Sequence, residues 1–180
     1  MYKKFLRKKL LNYRRKNFYF SKIKYSQTKL ILNKINVLKI KTVGAYYPIN
    51  YEIDCLDILK KLEKLGYKIS LPAIKKKNEM DFFEWSFNEP LKIGKMGIPE
   101  PHMIKKIYPD VLIVPLVAFD KFKYRLGYGG GYYDRYIAKM SCRKKLFTFG
   151  LAFSFQEVNK LPKNIHDKKL DFIFTEKKII

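Results

Sequence analysis

The stretch Arg125-Leu-Gly-Tyr-Gly-Gly-Gly-Tyr-Tyr-Asp-Arg135 is the most informative segment of this chain. It places four glycines within five residues and ends on an acid beside an arginine. Glycine has no side chain and tolerates positive φ, so the backbone amides of such a turn can approach an anion closely. The stretch therefore predicts a turn suited to phosphate and a metal ion.

The flanking residues predict the elements that carry this turn. Upstream, residues 110–115 read Asp-Val-Leu-Ile-Val-Pro, and the apolar run is typical of a strand covered on both faces. Downstream, aromatic and apolar residues recur at helical spacing, namely Tyr132, Tyr133, Tyr136, Ile137 and Met140. We predict a strand, a long loop over 116–128, the glycine turn and a helix. In open α/β sheets, ligands bind at the carboxyl ends of strands, where such loops lie.

The glycine turn differs from the common nucleotide-binding signatures. It lacks the Gly-Lys-Ser/Thr ending of a P-loop, and Tyr132 or Asp134 stands where a dinucleotide motif requires its third glycine. The alternative is a turn that merely connects two elements. Four glycines followed by two tyrosines and an acid favour a binding turn instead.

This stretch and the preceding Pro115-Leu-Val-Ala-Phe-Asp120 resemble the signature of the 5-formyltetrahydrofolate cyclo-ligases, also called methenyltetrahydrofolate synthetases. Three weaker segments agree with that family in order and spacing. They are Lys3-Lys-Phe-Leu-Arg7, Tyr46-Tyr-Pro-Ile-Asn-Tyr-Glu-Ile-Asp54 and Gly97-Ile-Pro-Glu-Pro101. The resemblance spans residues 3 to about 171. It implies ATP- and magnesium-dependent conversion of 5-formyltetrahydrofolate to 5,10-methenyltetrahydrofolate, with release of ADP and phosphate.

The resemblance implies a role for each matching residue. Catalytic roles fall on Arg125 and Tyr133, and magnesium binding on Asp134 and Asp167. ATP binding falls on Lys3, Lys4, Phe5, Leu6, Arg7, Arg125, Leu126, Gly127, Tyr128, Gly129, Gly130, Gly131, Tyr132 and Tyr133. Folate binding falls on Arg7, Tyr47, Glu52 and Met96. The family usually has an aromatic residue at the last of these positions, and a thioether can still pack on a flat ring.

The residues leave alternatives open at several of these positions. Asp134 also suits a helix start, Asp167 an exposed loop, and Glu52 the first turn of a helix. Tyr47 could stack on a pterin or fill the core. On the first helix, Lys3 and Arg7 align to meet a triphosphate, whereas we expect Arg14 on a solvated basic face.

Charge is unevenly placed along the chain, whose formal net charge is +23. Residues 1–51 hold 14 of the 39 Lys and Arg and no acid, which leaves 25 basic against 16 acidic residues in 52–180. Such asymmetry attracts nucleic acid, membrane surfaces or small polyanions, and both ATP and a polyglutamylated folate are polyanions. We attribute much of the excess positive charge to a general lysine-rich bias in the composition of the chain. A basic, acid-free start also resembles a transit peptide, but the family motif beginning at Lys3 favours a mature start.

Composition and pattern predict an α/β, single three-layer domain over 1–180, with a mostly parallel central sheet flanked by helices. We predict helices over 3–16, 21–35 (capped by Ser21) and 52–65 (closed by Gly66). The first two helices are expected to pack on the α/β core. Strands are predicted over 41–47, 67–71 (stopped by Pro72), 80–85, 146–152 and 171–174, with a loop over 86–109. With two cysteines and no membrane-length apolar segment, we expect a cytoplasmic monomer that binds small molecules.

Two other functions compete with the ligase interpretation. Basic residues interleaved with 14 Tyr and 14 Phe are the ingredients of RNA binding, and Gly127-Tyr-Gly129 resembles the centre of an RNA-recognition motif. That motif requires a basic residue where Leu126 stands and an aromatic where Gly130 stands. A non-catalytic folate-binding relative would lose the phosphate and metal elements, and this sequence retains both.

Overall fold

The computed structural model describes residues 2–17, 25–75 and 79–180. The helices within these ranges are α1 (Tyr2–Lys16), α2 (Tyr25–Val37), α3 (Leu56–Lys64) and α4 (Tyr132–Ser141). The strands are β1 (Thr42–Gly44), β2 (Lys68–Ile74), β3 (Met80–Glu84), β4 (Lys92–Ile93), β5 (Pro99–Glu100), β6 (Lys106–Ile107), β7 (Val111–Pro115), β8 (Ala118–Asp120), β9 (Arg125–Leu126), β10 (Phe147–Leu151), β11 (Glu157–Val158) and β12 (Phe172–Phe174). None of the helices in the described part of the chain combines the length and the apolarity needed to cross a bilayer.

Seven of these strands form the main sheet, in the order β12-β10-β7-β1-β2-β3-β6. Neighbours from β12 to β2 are parallel, and only β3 runs against its neighbours β2 and β6. Because β3 is antiparallel, its first residues lie at the same edge as the last residues of β2, and Ile74 pairs with Met80. The predicted mostly parallel sheet is confirmed.

Helices cover both faces of this sheet, which gives the predicted three layers. On β7, Val111 and Ile113 join the apolar cluster that includes residues of α2 and α3. The alternating Leu112 and Val114 face the opposite cluster, which includes residues of α4. Both faces of β7 are therefore buried, as its uninterrupted apolar sequence predicts.

Helix α1 packs away from the main sheet, against a smaller sheet with the strand order β11-β8-β9. Leu6 and Leu10 contact the cluster that contains Val117, Ala118 and Leu126. The predicted loop over 116–128 was therefore wrong in part, since β8 and β9 form a hairpin within it.

Buried Asp120 closes that hairpin. Its carboxylate accepts hydrogen bonds from the backbone N–H groups of Phe122, Tyr124 and Leu161, at 3.0, 3.1 and 3.1 Å. A buried carboxylate with three amide donors is well satisfied. An acid that reads as a loop residue in the sequence is thus the organising group of a small sheet.

Strand β2 continues past its predicted end. The strand was predicted to end before Pro72, yet β2 runs to Ile74. Strand β1 pairs with β2 only as far as Ser70, whose carbonyl accepts a hydrogen bond from Ala45 N. The backbone N position of Pro72, two residues after Ser70, is on the side of β2 toward β1, beyond the point where β1 ends. The missing N–H of proline therefore removes no hydrogen bond between strands.

Helix α3 starts later than the sequence predicts. Asn50 and Tyr51 adopt positive φ, so Glu52 lies in a turn before the helix instead of in its first turn. Asp54 Oδ1 accepts a hydrogen bond from Leu56 N at 2.8 Å, where the helix begins. Gly66 ends the helix at φ +85°, as predicted.

Smaller differences concern boundaries. The second helix is Tyr25–Val37 where 21–35 was predicted, and Ser21, its predicted cap, lies outside the described residues. Strand β1 spans three residues where seven were predicted. The loop expected over 86–109 contains the β4–β5 hairpin and the edge strand β6.

Candidate active site

A cavity of about 940 Å³ lies at the carboxyl ends of the main-sheet strands. Tyr46 and Tyr47 line it just after β1, Pro72 and Ile74 at the end of β2, and Pro115 at the end of β7. This is the position at which open α/β sheets bind ligands. The glycine turn, α1 and the loop over 164–168 form the rest of its wall.

The glycine turn presents backbone to this cavity. Gly129 adopts φ +108° and Gly131 adopts φ +66°, a region in which residues with a Cβ are strained. Helix α4 begins directly after Gly131, which supplies no side-chain cap to it. The first amides of α4 lack helical partners and carry the positive end of its dipole, so this end of the cavity suits an anion.

Helix α1 places two cations beside the turn. Arg7 Nε donates a hydrogen bond to Gly127 O at 2.8 Å. Its guanidinium carbon would lie 3.4 Å from a Cβ added to Gly129. Lys3 Nζ lies 2.8 Å from Asp167 Oδ2, in a half-buried ion pair. Residues more than 100 positions apart in the sequence thus share one wall of the cavity.

Two ion pairs fix the carboxylates in this region. Arg125 is buried, and its Nη2 lies 2.9 Å from Asp134 Oδ1, while its Nη1 donates to Lys168 O at 3.1 Å. Lys168 N in turn donates to Asp134 Oδ1 at 3.1 Å. Arg125 therefore joins the start of α4 to the loop that carries Asp167.

The carboxylates of Asp134 and Asp167 supply donors that suit a magnesium ion. Both line the cavity, and their hydrogen bonds fall on one oxygen each, Oδ1 and Oδ2 respectively. Within the described ranges, no group of three or more His, Cys, Asp or Glu side chains is arranged to hold a metal. Mg²⁺ often binds through one or two carboxylates and completes its shell with water and phosphate oxygens, so this pair fits a nucleotide-bound ion.

Three residues with a predicted ATP contact do not line this cavity. Leu6 is buried against the small sheet, and Phe5 is 62% exposed. Lys4 is exposed on α1. Because successive residues of a helix point about 100° apart, the face that carries Lys3 and Arg7 turns these three away. The structure gives no support to their predicted role.

Arg14 was expected on a solvated face and is instead 2% exposed. Its guanidinium donates to Asn50 O at 3.0 Å, Leu116 O at 3.2 Å and the Tyr128 hydroxyl at 2.5 Å. Helix α1 packs against the domain at this point, which the charge pattern alone does not indicate. Arg14 ties the helix to the turn before Glu52 and to the glycine turn.

Glu52 is a buried carboxylate that lines the cavity. Burial raises the pKa of Glu52 to about 7, against hydrogen bonds from Ile49 N (2.9 Å) and the Tyr128 hydroxyl and the nearby positive charge of Arg14. Arg14, Tyr128 and Glu52 therefore form a chain of hydrogen bonds. This chain connects the glycine turn to the turn that follows β1.

The remaining predicted residues also line the cavity. Tyr47 and Met96 both line the cavity, and Met96 is 60% exposed. Tyr133 also lines it, and burial raises the pKa of Tyr133 well above its ordinary value. Its hydroxyl therefore keeps its proton and can donate a hydrogen bond.

Sequence reasoning missed part of the wall. The unpredicted lining residues include Asn50, Ile74, Met80, Glu100, His166 and Lys168. Four of them had a signal: Asn50 and Glu100 belong to the segments Tyr46–Asp54 and Gly97–Pro101, and His166 and Lys168 flank Asp167. The apolar residues had none, because only the pairing of β2 with β3 brings them to the cavity.

A mostly parallel α/β sheet, a glycine turn before a helix, and a mixed cationic and aromatic cavity are typical of proteins that bind anionic ligands. The model of the 5-formyltetrahydrofolate cyclo-ligase family matches residues 1–176. The chain therefore belongs to the 5-formyltetrahydrofolate cyclo-ligase family, and it is a ligase.

Individual relatives agree with this assignment. The chain is 33% identical to a Haemophilus influenzae 5-formyltetrahydrofolate cyclo-ligase over 144 residues, which cover 76% of each chain. It is 31% identical to the Escherichia coli enzyme of the same name, over 79% of this chain and 82% of the relative. The structure of Aquifex aeolicus 5,10-methenyltetrahydrofolate synthetase superposes with a TM-score of 0.77 at 31% identity, over 99% of this chain and 92% of that one. The family and the fold inferred from the sequence are confirmed.

Proposed function

We propose that this protein converts 5-formyltetrahydrofolate and ATP to 5,10-methenyltetrahydrofolate, ADP and phosphate, with magnesium. The observation that carries the proposal is that one cavity is lined both by the glycine turn, whose backbone suits an anion, and by the buried carboxylate of Glu52. Phosphoryl transfer between two substrates requires them to meet in one site, in line for the reaction.

The chemistry explains why such a site suffices. A formamide carbon is a poor electrophile, and its oxygen is a poor leaving group. In the proposed reaction the formyl oxygen attacks the γ-phosphorus of ATP and ADP leaves. Nitrogen 10 then attacks the activated carbon and loses its proton, and phosphate departs with the former formyl oxygen. No protein nucleophile is needed, so the protein positions two anionic reactants and stabilises their charge.

At the anion-binding end, we assign the triphosphate to the turn Gly127–Gly131, the first amides of α4, and the side chains of Lys3 and Arg7. Magnesium would be held by Asp134 and Asp167 and would neutralise charge on the phosphates. In the structure these acids pair with cations, Asp134 with Arg125 and Asp167 with Lys3. Nucleotide binding would therefore release Lys3 from Asp167 toward the phosphates.

At the other end, we assign the pterin to Glu52 and Tyr47, with Met96 against the flat part of the folate. An ionised carboxylate accepts hydrogen bonds from the amino and ring N–H groups of a pterin. Tyr133 lies between the two ends and keeps its proton, so we assign it as a donor to the formyl or phosphoryl oxygen. Arg125 holds Asp134 and contributes positive charge from below the turn.

The proposal also includes a single-domain monomer in the cytoplasm. Cys55 is buried and Cys142 exposed, and both are free thiols, which suits a reducing compartment. The partners are the two small substrates.

The test is the absorbance of the methenyl product after the purified protein is mixed with 5-formyltetrahydrofolate, ATP and magnesium. We expect the band to grow only when both ATP and magnesium are present. Arg125→Met should reduce kcat, and Arg143→Met, which removes an exposed arginine outside the cavity, is the matched control. A folded protein that binds ATP but forms no product with the formyl folate would contradict the proposal.

A further inference from the structure

Arg14 is a buried cation that lies outside the lining of the cavity, and the proposed reaction gives it no part. A guanidinium keeps its proton at all ordinary pH values, and its removal from water is costly unless its charge is compensated. None of the ion pairs in the described ranges includes Arg14. The structure therefore compensates this charge by a less direct route.

That route leads through the Tyr128 hydroxyl to the buried carboxylate of Glu52. Arg14 Nη2 donates a hydrogen bond to this hydroxyl at 2.5 Å, and the hydroxyl donates one to Glu52. The direction of both hydrogen bonds is fixed, because a guanidinium can only donate and an ionised carboxylate can only accept. The single proton of the hydroxyl is thus directed at Glu52, and the adjacent positive charge strengthens that hydrogen bond.

Arg14 also holds the turn that carries Glu52. Its Nε donates a hydrogen bond to Asn50 O at 3.0 Å. Asn50 and Tyr51 adopt φ of +48° and +61°, a region that costs free energy for residues with a Cβ. Within this turn, Ile49 N donates to Glu52 Oε2 at 2.9 Å. One guanidinium therefore fixes the backbone before Glu52 and, through the tyrosine hydroxyl, its carboxylate.

The other titratable groups that interact with Glu52 are neutral near neutral pH, because burial raises the pKa of each above its ordinary value. They come from the segment after β1, the start of α3, the glycine turn and α4, namely Tyr46, Cys55, Tyr128 and Tyr133. The positive charge that acts on the Glu52 carboxylate comes from Arg14. Without Arg14, these neighbours would offer the carboxylate no positive charge.

We propose that Arg14, acting through Tyr128, is a positioning residue that holds the Glu52 carboxylate charged and in place for the folate. The inference rests on the proposed function, which places the pterin at Glu52. An ionised carboxylate accepts hydrogen bonds from the amino and ring N–H groups of a pterin, whereas a protonated one presents a donor to one of them. Because Arg14 does not line the cavity, its effect on the folate passes through Glu52.

The experiment measures the dissociation constant of 5-formyltetrahydrofolate without ATP, by isothermal titration calorimetry of the intact protein across neutral pH. Burial raises the pKa of Glu52 to about 7, so its carboxylate gains a proton as the pH falls below that value. Binding to the wild type should therefore weaken by about tenfold between a pH of about 8 and a pH of about 6. The pH at which binding begins to weaken is the quantity to compare between variants.

Three variants change different parts of this chain of hydrogen bonds. Arg14→Met removes the positive charge, so the pKa of Glu52 rises and the weakening should begin about one pH unit higher. Tyr128→Phe removes only the hydroxyl and should cause a smaller shift in the same direction. Arg14→Lys keeps a positive charge and should reverse part of the shift that Arg14→Met causes. Arg15→Met, which removes the neighbouring exposed arginine of α1, is the matched control and should leave the pH dependence unchanged.

The outcomes separate this inference from the proposed function. Trp85 is buried, so its fluorescence verifies that each variant folds, and Tyr128→Phe keeps the test decisive where Arg14→Met does not fold. An unshifted pH dependence in folded Tyr128→Phe, or a wild type whose binding does not change with pH, would overturn the role of Arg14 and leave the proposed reaction intact. A formyl folate that does not bind at any pH would overturn the proposed function, and the role of Arg14 with it.

Discussion

Glu52→Gln should stabilise the protein at alkaline pH far more than at acidic pH. Burial raises the pKa of Glu52 from 4.5 to about 7. The folded chain therefore resists ionisation that the unfolded chain undergoes freely. The penalty is absent below a pH of about 4.5, grows as the pH rises, and is fully present above about 7. Glutamine has the same shape and can still accept the hydrogen bond from Ile49 N, but it cannot ionise.

The difference between the two pKa values sets the size of the effect. Linkage gives a penalty of about 3 kcal/mol at a pH of about 8, and of about 1 kcal/mol at a pH of about 5. Glu52→Gln removes this penalty. The gain in the free energy of unfolding should therefore be larger at the higher pH by about 2.5 kcal/mol. Effects of the substitution that do not involve ionisation cancel in this comparison.

Urea denaturation followed by Trp85 fluorescence measures the free energy of unfolding at both pH values. Trp85 is buried, so its emission reports the loss of the core. Glu79→Gln, which removes an exposed glutamate carboxylate, is the matched control for the loss of one negative charge. A gain from Glu52→Gln of equal size at both pH values would refute the argument, because Glu52 would then titrate alike in the folded and unfolded chain.

Three further substitutions test the site. Arg14→Met removes three hydrogen bonds of a buried guanidinium, to Asn50 O, Leu116 O and the Tyr128 hydroxyl, and should lower the free energy of unfolding by about 3 kcal/mol. A loss below about 1 kcal/mol in urea denaturation would contradict the role of Arg14 in holding α1 to the domain. Asp167→Asn should weaken magnesium activation by about tenfold in a titration of initial rates. The Tm should change little, because the ion pair of Asp167 with Lys3 is partly exposed. Unchanged magnesium dependence would show that Asp167 is not a metal ligand. Gly129→Ala, at φ +108° beside Arg7, should raise the KM for ATP. Its control, Gly66→Ala at φ +85° in open space, should only lower the free energy of unfolding, by about 1 kcal/mol. Equal effects of the two substitutions on the KM for ATP would contradict the assignment of the glycine turn.

Much of the fold follows from local pattern. The apolar run of β7 predicts a strand buried on both faces, and the spacing of Tyr136, Ile137 and Met140 predicts the buried face of α4. Gly66 marks the end of α3. These features depend on residues within one or two turns of each other, so the sequence carries them directly. The β8–β9 hairpin is local too, but its strands are only three and two residues long, too short to show a periodic pattern. The burial of Asp120 beneath Leu161, 41 residues away, depends on tertiary structure.

The site likewise combines features that follow from local sequence with features that depend on tertiary structure. Local sequence specifies the glycine turn, because the positive φ of Gly129 and Gly131 is free of strain only for glycine, and it also identifies the family. Only the tertiary structure brought Lys3 and Arg7 to the turn, buried Arg14, and placed three lysines around Asp81. Burial and charge pairing depend on which distant segments exclude water from a group, and no local pattern of residues records that.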